Sequence, residues 1–259
     1  MLCLVLAAAF FLFLPAGASQ TRKAKPAPRA AKPAADPVLP LRSGEILDYA
    51  ASLSKLSNVA SIRLTVNERR DFYGRPAWHL QAFAHTLNPL RMIFELDDQF
   101  DSYSDASTLA CLQYELHLRE RGQAVNSVLR MTTGREPAPS AQSGAAAARV
   151  LPGTRDPIGM VQFLRTVDWT KTKEVRAPVY DGRQLYEVVA RLVQTSGQVQ
   201  VPAGAYAVSR IEVRVFERGV EMKDTRFVLS LANNAARTPV LLEAEIPFGQ
   251  ARVELTQSR

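Results

Sequence analysis

DQFDSYSDASTLACLQYELHLRERG, from Asp98 to Gly122, is the stretch on which the fold turns. Asp98, Asp101, Asp105 and Glu115 crowd it together with Tyr103, Tyr114 and Cys111, a density that invites a metal or catalytic reading. An EF-hand calcium loop needs carboxylates at alternate positions, a glycine at the sixth and a glutamate at the twelfth. No such series starts at Asp97, Asp98 or Asp101. From Gln113 the residues alternate instead, with Tyr114, Leu116 and Leu118 on one side and Gln113, Glu115, His117 and Arg119 on the other. Period two is the signature of a strand with one buried face. The stretch is therefore expected to be a β-hairpin, its acidic residues solvated where a strand carrying Phe100 and Tyr103 runs into a turn at Ser104 to Ser107.

The same rhythm extends outward in both directions. In SIRLTVNE, Ile62, Leu64 and Val66 alternate with Ser61, Arg63, Thr65 and Asn67; DFYGRPA then supplies a turn, after which Trp78, Leu80 and Ala82 oppose His79, Gln81 and Phe83. Further on, Ile211/Val213/Val215, Phe227/Leu229/Leu231, Val240/Leu242/Ala244 and Ala251/Val253/Leu255 repeat it, with Arg210, Glu212, Arg214, Glu243, Glu245, Arg252 and Glu254 on the opposite faces. Many short alternating strands joined by turns predict a mainly β chain, a curved antiparallel sheet or incomplete β-barrel, because an open sheet must hide its edges. One segment breaks the rhythm. In TRDPIGMVQFLRTVDW, Asp156 fits an N-cap and Pro157 a first helical position, and Ile158, Val161, Leu164 and Val167 recur at helical spacing. A single short amphipathic helix follows, either a lid or plug across the barrel or a connector packed outside it.

The amino terminus sets the compartment. Leu2 to Leu14 is an apolar run followed by Pro15 and Ala16-Gly17-Ala18, the small-x-small pattern of a signal peptide cleaved after Ala18. The run is shorter than the ~20 residues that span a bilayer; an uncleaved anchor is the alternative. Residues 19–40, rich in Pro, Ala and Lys without an aromatic, are expected to be a disordered tether, because they hold too little apolar surface to offset chain entropy. Arg22, Lys23, Lys25, Arg29 and Lys32 lie there against Asp36 alone, so most of the formal net charge of +7 belongs to the arm and nucleic-acid binding loses its support. Residues 41–259 then form one β-rich domain, interrupted by a flexible loop near 135–149, REPAPSAQSGAAAAR. Cys3 is expected to leave with the signal, which leaves Cys111 with no partner for an internal disulfide: a small buried thiol, or alternatively a reactive thiol or one arm of an intermolecular disulfide.

No local pattern carries catalysis. His79 and His85 share a strand face but lack a third ligand at fixed spacing, and His117 lies on a polar face, so no metal is assigned. There is no G-x-S-x-G, S-x-x-K, P-loop or dinucleotide fingerprint. The expectation is a non-enzyme without a cofactor.

Four stretches together carry a resemblance: DQFDSYSDASTLACLQYELHLRERG, DPIGMVQFLR, VYDGRQLYEV with VPAGAYAVSRIEV, and ARTPVLLEAEIPFGQARVEL. In them the chain resembles the bacterial family called domain of unknown function 3108, from about Leu41 to Leu255. Members often carry an aspartate and an aromatic residue before the R-x-P-V element, where this chain has Asn233 and Asn234. The resemblance implies an exported periplasmic or envelope protein with a half-closed antiparallel barrel, analogous in fold to periplasmic carriers that hold acyl chains under a helical lid. The function so expected is a binding or carrier module for an apolar or amphiphilic envelope ligand, peripherally associated at most. Trp78, Phe94, Phe100, Tyr114 and Tyr186 are the candidate lining residues. A structural or assembly factor acting by protein contact is the alternative.

Overall fold

Alternation becomes strand wherever the chain is described, which in this computed structural model is residues 39–133, 144–222, 226–246 and 249–259. The predicted signal segment with its Ala18 site, and the tether up to residue 38, lie outside the described residues. Leu39 and Pro40, assigned to the tether, already belong to the domain: Leu39 packs against the core and the Pro40 carbonyl accepts a hydrogen bond from Arg165.

Seven strands come first: β1 (Glu45–Leu53), β2 (Leu56–Asp71), β3 (Pro76–Thr86), β4 (Asp97–Asp105), β5 (Cys111–Glu120), β6 (Gln123–Thr132) and β7 (Ala146–Arg149). Helix α1 (Pro157–Thr166) follows, and then β8 (Glu174–Tyr180), β9 (Leu185–Val201), β10 (Gly204–Glu217), β11 (Val220–Glu221), β12 (Arg226–Ala232), β13 (Pro239–Ile246) and β14 (Gly249–Ser258). The expected loop near 135–149 is thus shorter than its composition suggested. Residues 134–143 lie outside the described part, but Ala146–Arg149 pairs in parallel with β6, because a run of small side chains can still complete a backbone ladder.

All described strands belong to one 14-stranded sheet, in the order β7-β6-β5-β4-β3-β2-β1-β14-β13-β12-β10-β9-β8, with β11 attached to β10. Tight turns set the registers. Arg121 and Gly122, both at positive φ, join Glu120 to Gln123, and Arg218 and Gly219 do the same after Glu217, the backbone a two-residue hairpin demands. The sheet remains open, with β7 and β8 at its edges. Thr154 and Arg155 span the gap at one end: the Thr154 carbonyl accepts from the Cys111 N–H, and Arg155 exchanges backbone hydrogen bonds with Pro178 and Tyr180 of β8.

The inward residues of both sheet halves, among them Leu64, Leu80, Tyr114, Val188, Ile211, Phe227, Leu242 and Leu255, enclose α1. The helix is a plug. Eight of its ten residues are buried, and it packs against β3, β4 and β8. Burial of Ile158, Met160, Val161 and Leu164 stabilises it by about 2 kcal/mol per side chain. Its polar positions are enclosed as well, which a helix amphipathic towards solvent does not require. Gln162 and Arg165 face Glu45 across the interior rather than water.

Candidate functional site

Inside the curled sheet the chemistry serves the helix. Asp156 is fully buried at the N-cap, where Oδ1 accepts from the Ile158 and Gly159 N–H groups and Oδ2 accepts from the Ser102 hydroxyl at 2.5 Å. Ser104 lies 2.8 Å from Ser102, and the Cys111 thiol lies beside Asp156. Burial first, and the carboxylate second, push that thiol well above its ordinary range, so it stays protonated and unreactive. At the other end the Arg165 guanidinium grips Glu45 through both oxygens at 2.7 and 2.8 Å. It also donates to Gln162, to the Ala236 carbonyl and to the Pro40 carbonyl. Arg237 donates in turn to the carbonyls of Arg165 and Val167, satisfying the helix C-terminus. A serine, a carboxylate and a thiol in contact could suggest a nucleophile, but Ser102 and Asp156 have no exposed surface and the carboxylate is taken up by Ser102 and the helix N–H groups.

The aromatic candidates divide accordingly. Phe100 and Tyr114 are buried and come together, their rings nearly parallel at 6.3 Å, as part of the core around α1. Trp78 is half-buried against the same core with its indole N–H unpartnered, and Phe94 is half-buried under the Arg121 guanidinium. Tyr186 is buried on β9, its hydroxyl accepting from Gln184 and held above its ordinary pKa chiefly by burial. Tyr186 also borders a surface groove.

That groove, of about 600 Å³, runs over the outside of β8, β9 and the end of β10. Leu151, Pro178, Leu185 and Phe216 form its apolar floor, Leu151 being 55% exposed, while Arg176, Arg218, Glu187 and Glu217 stand at the rim. Alternation misses such a place, because these residues occupy the solvent side of their strands or a loop. An outward-facing apolar residue between charged neighbours is the signal that points to it.

A second cleft, of about 550 Å³, lies on the outside of β3 to β6 and is polar, lined by Phe83, His85, Asp97, Gln99, His117, Arg119 and Asn126. Here the expected turn is corrected. Asp97–Asp105 is a full strand, and the turn begins only at Asp105, whose carboxylate accepts from Ser107 and Thr108. Asp98 and Asp101 are consequently buried rather than solvated. Asp101 faces outward beneath His79, Gln81 and Gln99. Burial opposes its charge, but those three donors hold its carboxyl below the ordinary range. Among the described residues Asp101, Glu115 and His117 gather their ligand atoms within 4.8 Å of one another.

Comparison with known proteins adds the following. A family model described as protein of unknown function DUF3108 matches residues 48–256. A β-barrel-like protein of domain of unknown function DUF1849 from Brucella abortus aligns over 83% of this chain and 97% of its own, at 11% identity and a TM-score of 0.52, which shows a shared fold. A provisionally assigned lipoprotein from Parabacteroides distasonis (11% identity, TM-score 0.38, 85% of this chain and 97% of its own) is more distant. So is a provisionally assigned exported protein with a YmcC-like fold from Bacteroides fragilis (12%, 0.37, 85% and 98%). No curated protein matches the chain.

Proposed function

This chain belongs to the DUF3108 family, and we propose that it is an exported, non-catalytic binding protein that holds the apolar part of an amphiphilic envelope ligand in the outer groove over β8, β9 and β10. One observation carries this reading: the uncovered apolar floor of Leu151, Pro178, Leu185 and Phe216, with Arg176, Arg218, Glu187 and Glu217 at its rim to meet a polar head group. The volume falls within the ~300–1,000 Å³ usual for small-ligand pockets. A ligand inside the curled sheet would first have to displace α1 and break the buried Glu45–Arg165 pair. The outside groove asks no such rearrangement. The apolar run Leu2–Leu14 and the small-x-small pattern at Ala16–Ala18 support export, which would bring the groove to where such amphiphiles occur.

The test is purification from the envelope fraction, solvent extraction and mass spectrometry, repeated with Leu151→Asp and with Val125→Asp, an equally exposed residue elsewhere. A stoichiometric lipid or fatty acid retained by the native protein and by Val125→Asp, and lost from Leu151→Asp, is the expected result. A native protein that carries no amphiphile and binds none when offered a labelled fatty acid would end the proposal. A single defined protein partner in place of the lipid would move the groove to the assembly reading.

A further inference from the structure

Strands β4 and β5 place Asp101 directly opposite Glu115, and His117 stands two residues further along β5 on the same outer face. Two carboxylates opposed across a ladder repel one another. Among the described residues no lysine or arginine pairs with either; their ion-pair neighbours are His79, 2.7 Å from Asp101, and His117, 3.6 Å from Glu115. The remaining hydrogen-bond donors described for the two carboxylates are the neutral amides of Gln81, Gln99 and Gln113, with the Tyr103 hydroxyl nearby.

Those amides leave a definite set of lone pairs open. Asp101 Oδ1 accepts from His79 Nε2 and from Gln81 at 2.8 Å, while Oδ2 accepts only from Gln99 at 2.7 Å. Glu115 Oε1 accepts from Gln113 at 2.6 Å, and its Oε2 faces His117. His117 Nδ1 lies 2.9 Å from the Asn126 side-chain amide oxygen and donates to it, so in the neutral ring Nε2, 3.6 Å from Glu115 Oε2, is the nitrogen with the lone pair. Each of the three groups thus keeps an open acceptor position beside its described hydrogen bonds, and the three ligand atoms gather within 4.8 Å of one another. A metal centre has this pattern, in which outer hydrogen bonds fix the tautomer and orientation of the ligands. A proton on Nε2 would relieve Glu115 but would leave Asp101 Oδ2 facing a second carboxylate.

We propose that Asp101, Glu115 and His117 bind one divalent cation of the zinc or manganese class on the outer face of β4 and β5. An imidazole with two carboxylates suits such ions better than magnesium or calcium, which favour oxygen alone. Ligand atoms within 4.8 Å of one another need only small side-chain rotations to reach the ~2.0–2.2 Å bonds of zinc. His117 and Gln99 also line the polar cleft, so solvent or a second ligand reaches the ion from that side.

The site is independent of the amphiphile groove and is tested without it. The untagged full chain is stripped with chelator, dialysed and titrated calorimetrically with zinc chloride, manganese chloride and calcium chloride, with melting followed in parallel. One equivalent of zinc or manganese should bind and raise the melting temperature, and calcium should bind more weakly. Losing even an outer-shell partner typically costs about 10–100-fold, so His117→Ala and Glu115→Gln should each weaken binding at least ~tenfold, while His85→Ala should not. Unchanged melting of the metal-free variants separates a lost ligand from a lost fold. Binding that survives both substitutions, or no binding at millimolar metal, overturns the proposal.

Discussion

Asp98 and Asp101 stand three residues apart on one strand, and their carboxyls are driven in opposite directions. Asp101 faces out beneath three donors and is held ionised, whereas Asp98 points inward, where among the described residues the Arg119 N–H donates to it. Burial, reinforced by the nearby Glu120 and Asp97 carboxylates, pushes Asp98 up to about 6. A carboxyl whose pKa is higher folded than unfolded binds more protons in the native state between the two values. Its contribution to stability is therefore fully present below its ordinary value of 3.8 and is lost as pH rises through about 6. Asp98→Asn keeps an acceptor for Arg119 and removes the charge. The substitution should stabilise the protein at pH 7 to 8, and the gain should vanish below pH 4. Urea unfolding of both proteins across that range reads the difference directly, and a gain that does not change with pH would show that Asp98 ionises normally.

Helix α1 is anchored at each end by a group of the sign its dipole favours, Asp156 at the start and Arg165 with Arg237 at the finish. Arg165 has no exposed surface and all its donors are used. Removing one member of such a pair strands the other, at a cost of about 3–5 kcal/mol, while replacing both by apolar groups of similar volume is often neutral or better. Arg165→Met should therefore destabilise by that amount in urea titration, and Glu45→Met with Arg165→Met should recover most of it. Failure of the double variant to recover would mean that the pair sets the helix register rather than merely neutralising itself. The same element shows how far the sequence could be read. Its cap, its proline and its apolar spacing are local signals, and they placed the helix correctly at Pro157. Whether it plugs or merely connects depends on Glu45, distant in sequence on β1, and no local pattern holds that information. Strands with alternating branched residues were legible for the same local reason. Inward-facing Asp98, Ser102 and Ser104 disguised β4, and small alanines disguised β7. Of the candidate sites, Tyr186 was named, but the groove floor and the Asp101–Glu115–His117 cluster were not, because each is assembled by strands whose pairing the chain does not announce.

At the scale of the molecule the sheet is two meanders. β1 to β7 run consecutively to one edge and β8 to β14 to the other, so nearly every pairing is between neighbours in sequence. β10 pairs with β12 past the short β11, and the long-range exception lies at the centre, where β1 pairs with β14 and matches Ala51 to Val253, Tyr49 to Leu255 and Leu53 to Ala251. This single ladder joins the halves within the sheet, and α1 joins them through the interior by touching β3 and β4 on one side and β8 on the other. Contacts of such sequence separation form late, because loop closure must precede any gain from them. Each meander can therefore collapse on its own, but neither can bury the face it turns to the helix until β14 docks. Truncation after Ile246 removes β14 alone, and its effect discriminates sharply. If the meanders were independent units, the shortened chain would keep a cooperative transition for the amino-terminal half. The architecture predicts the contrary: the edges of β1 and β13 are left unpaired, Val253 and Leu255 vanish from the core, and α1 is caged on too few sides. The truncated chain should retain β-rich far-ultraviolet dichroism, lose its near-ultraviolet tyrosine and tryptophan signal, bind hydrophobic dye and unfold without a sigmoidal transition, the behaviour of a collapsed state without fixed packing.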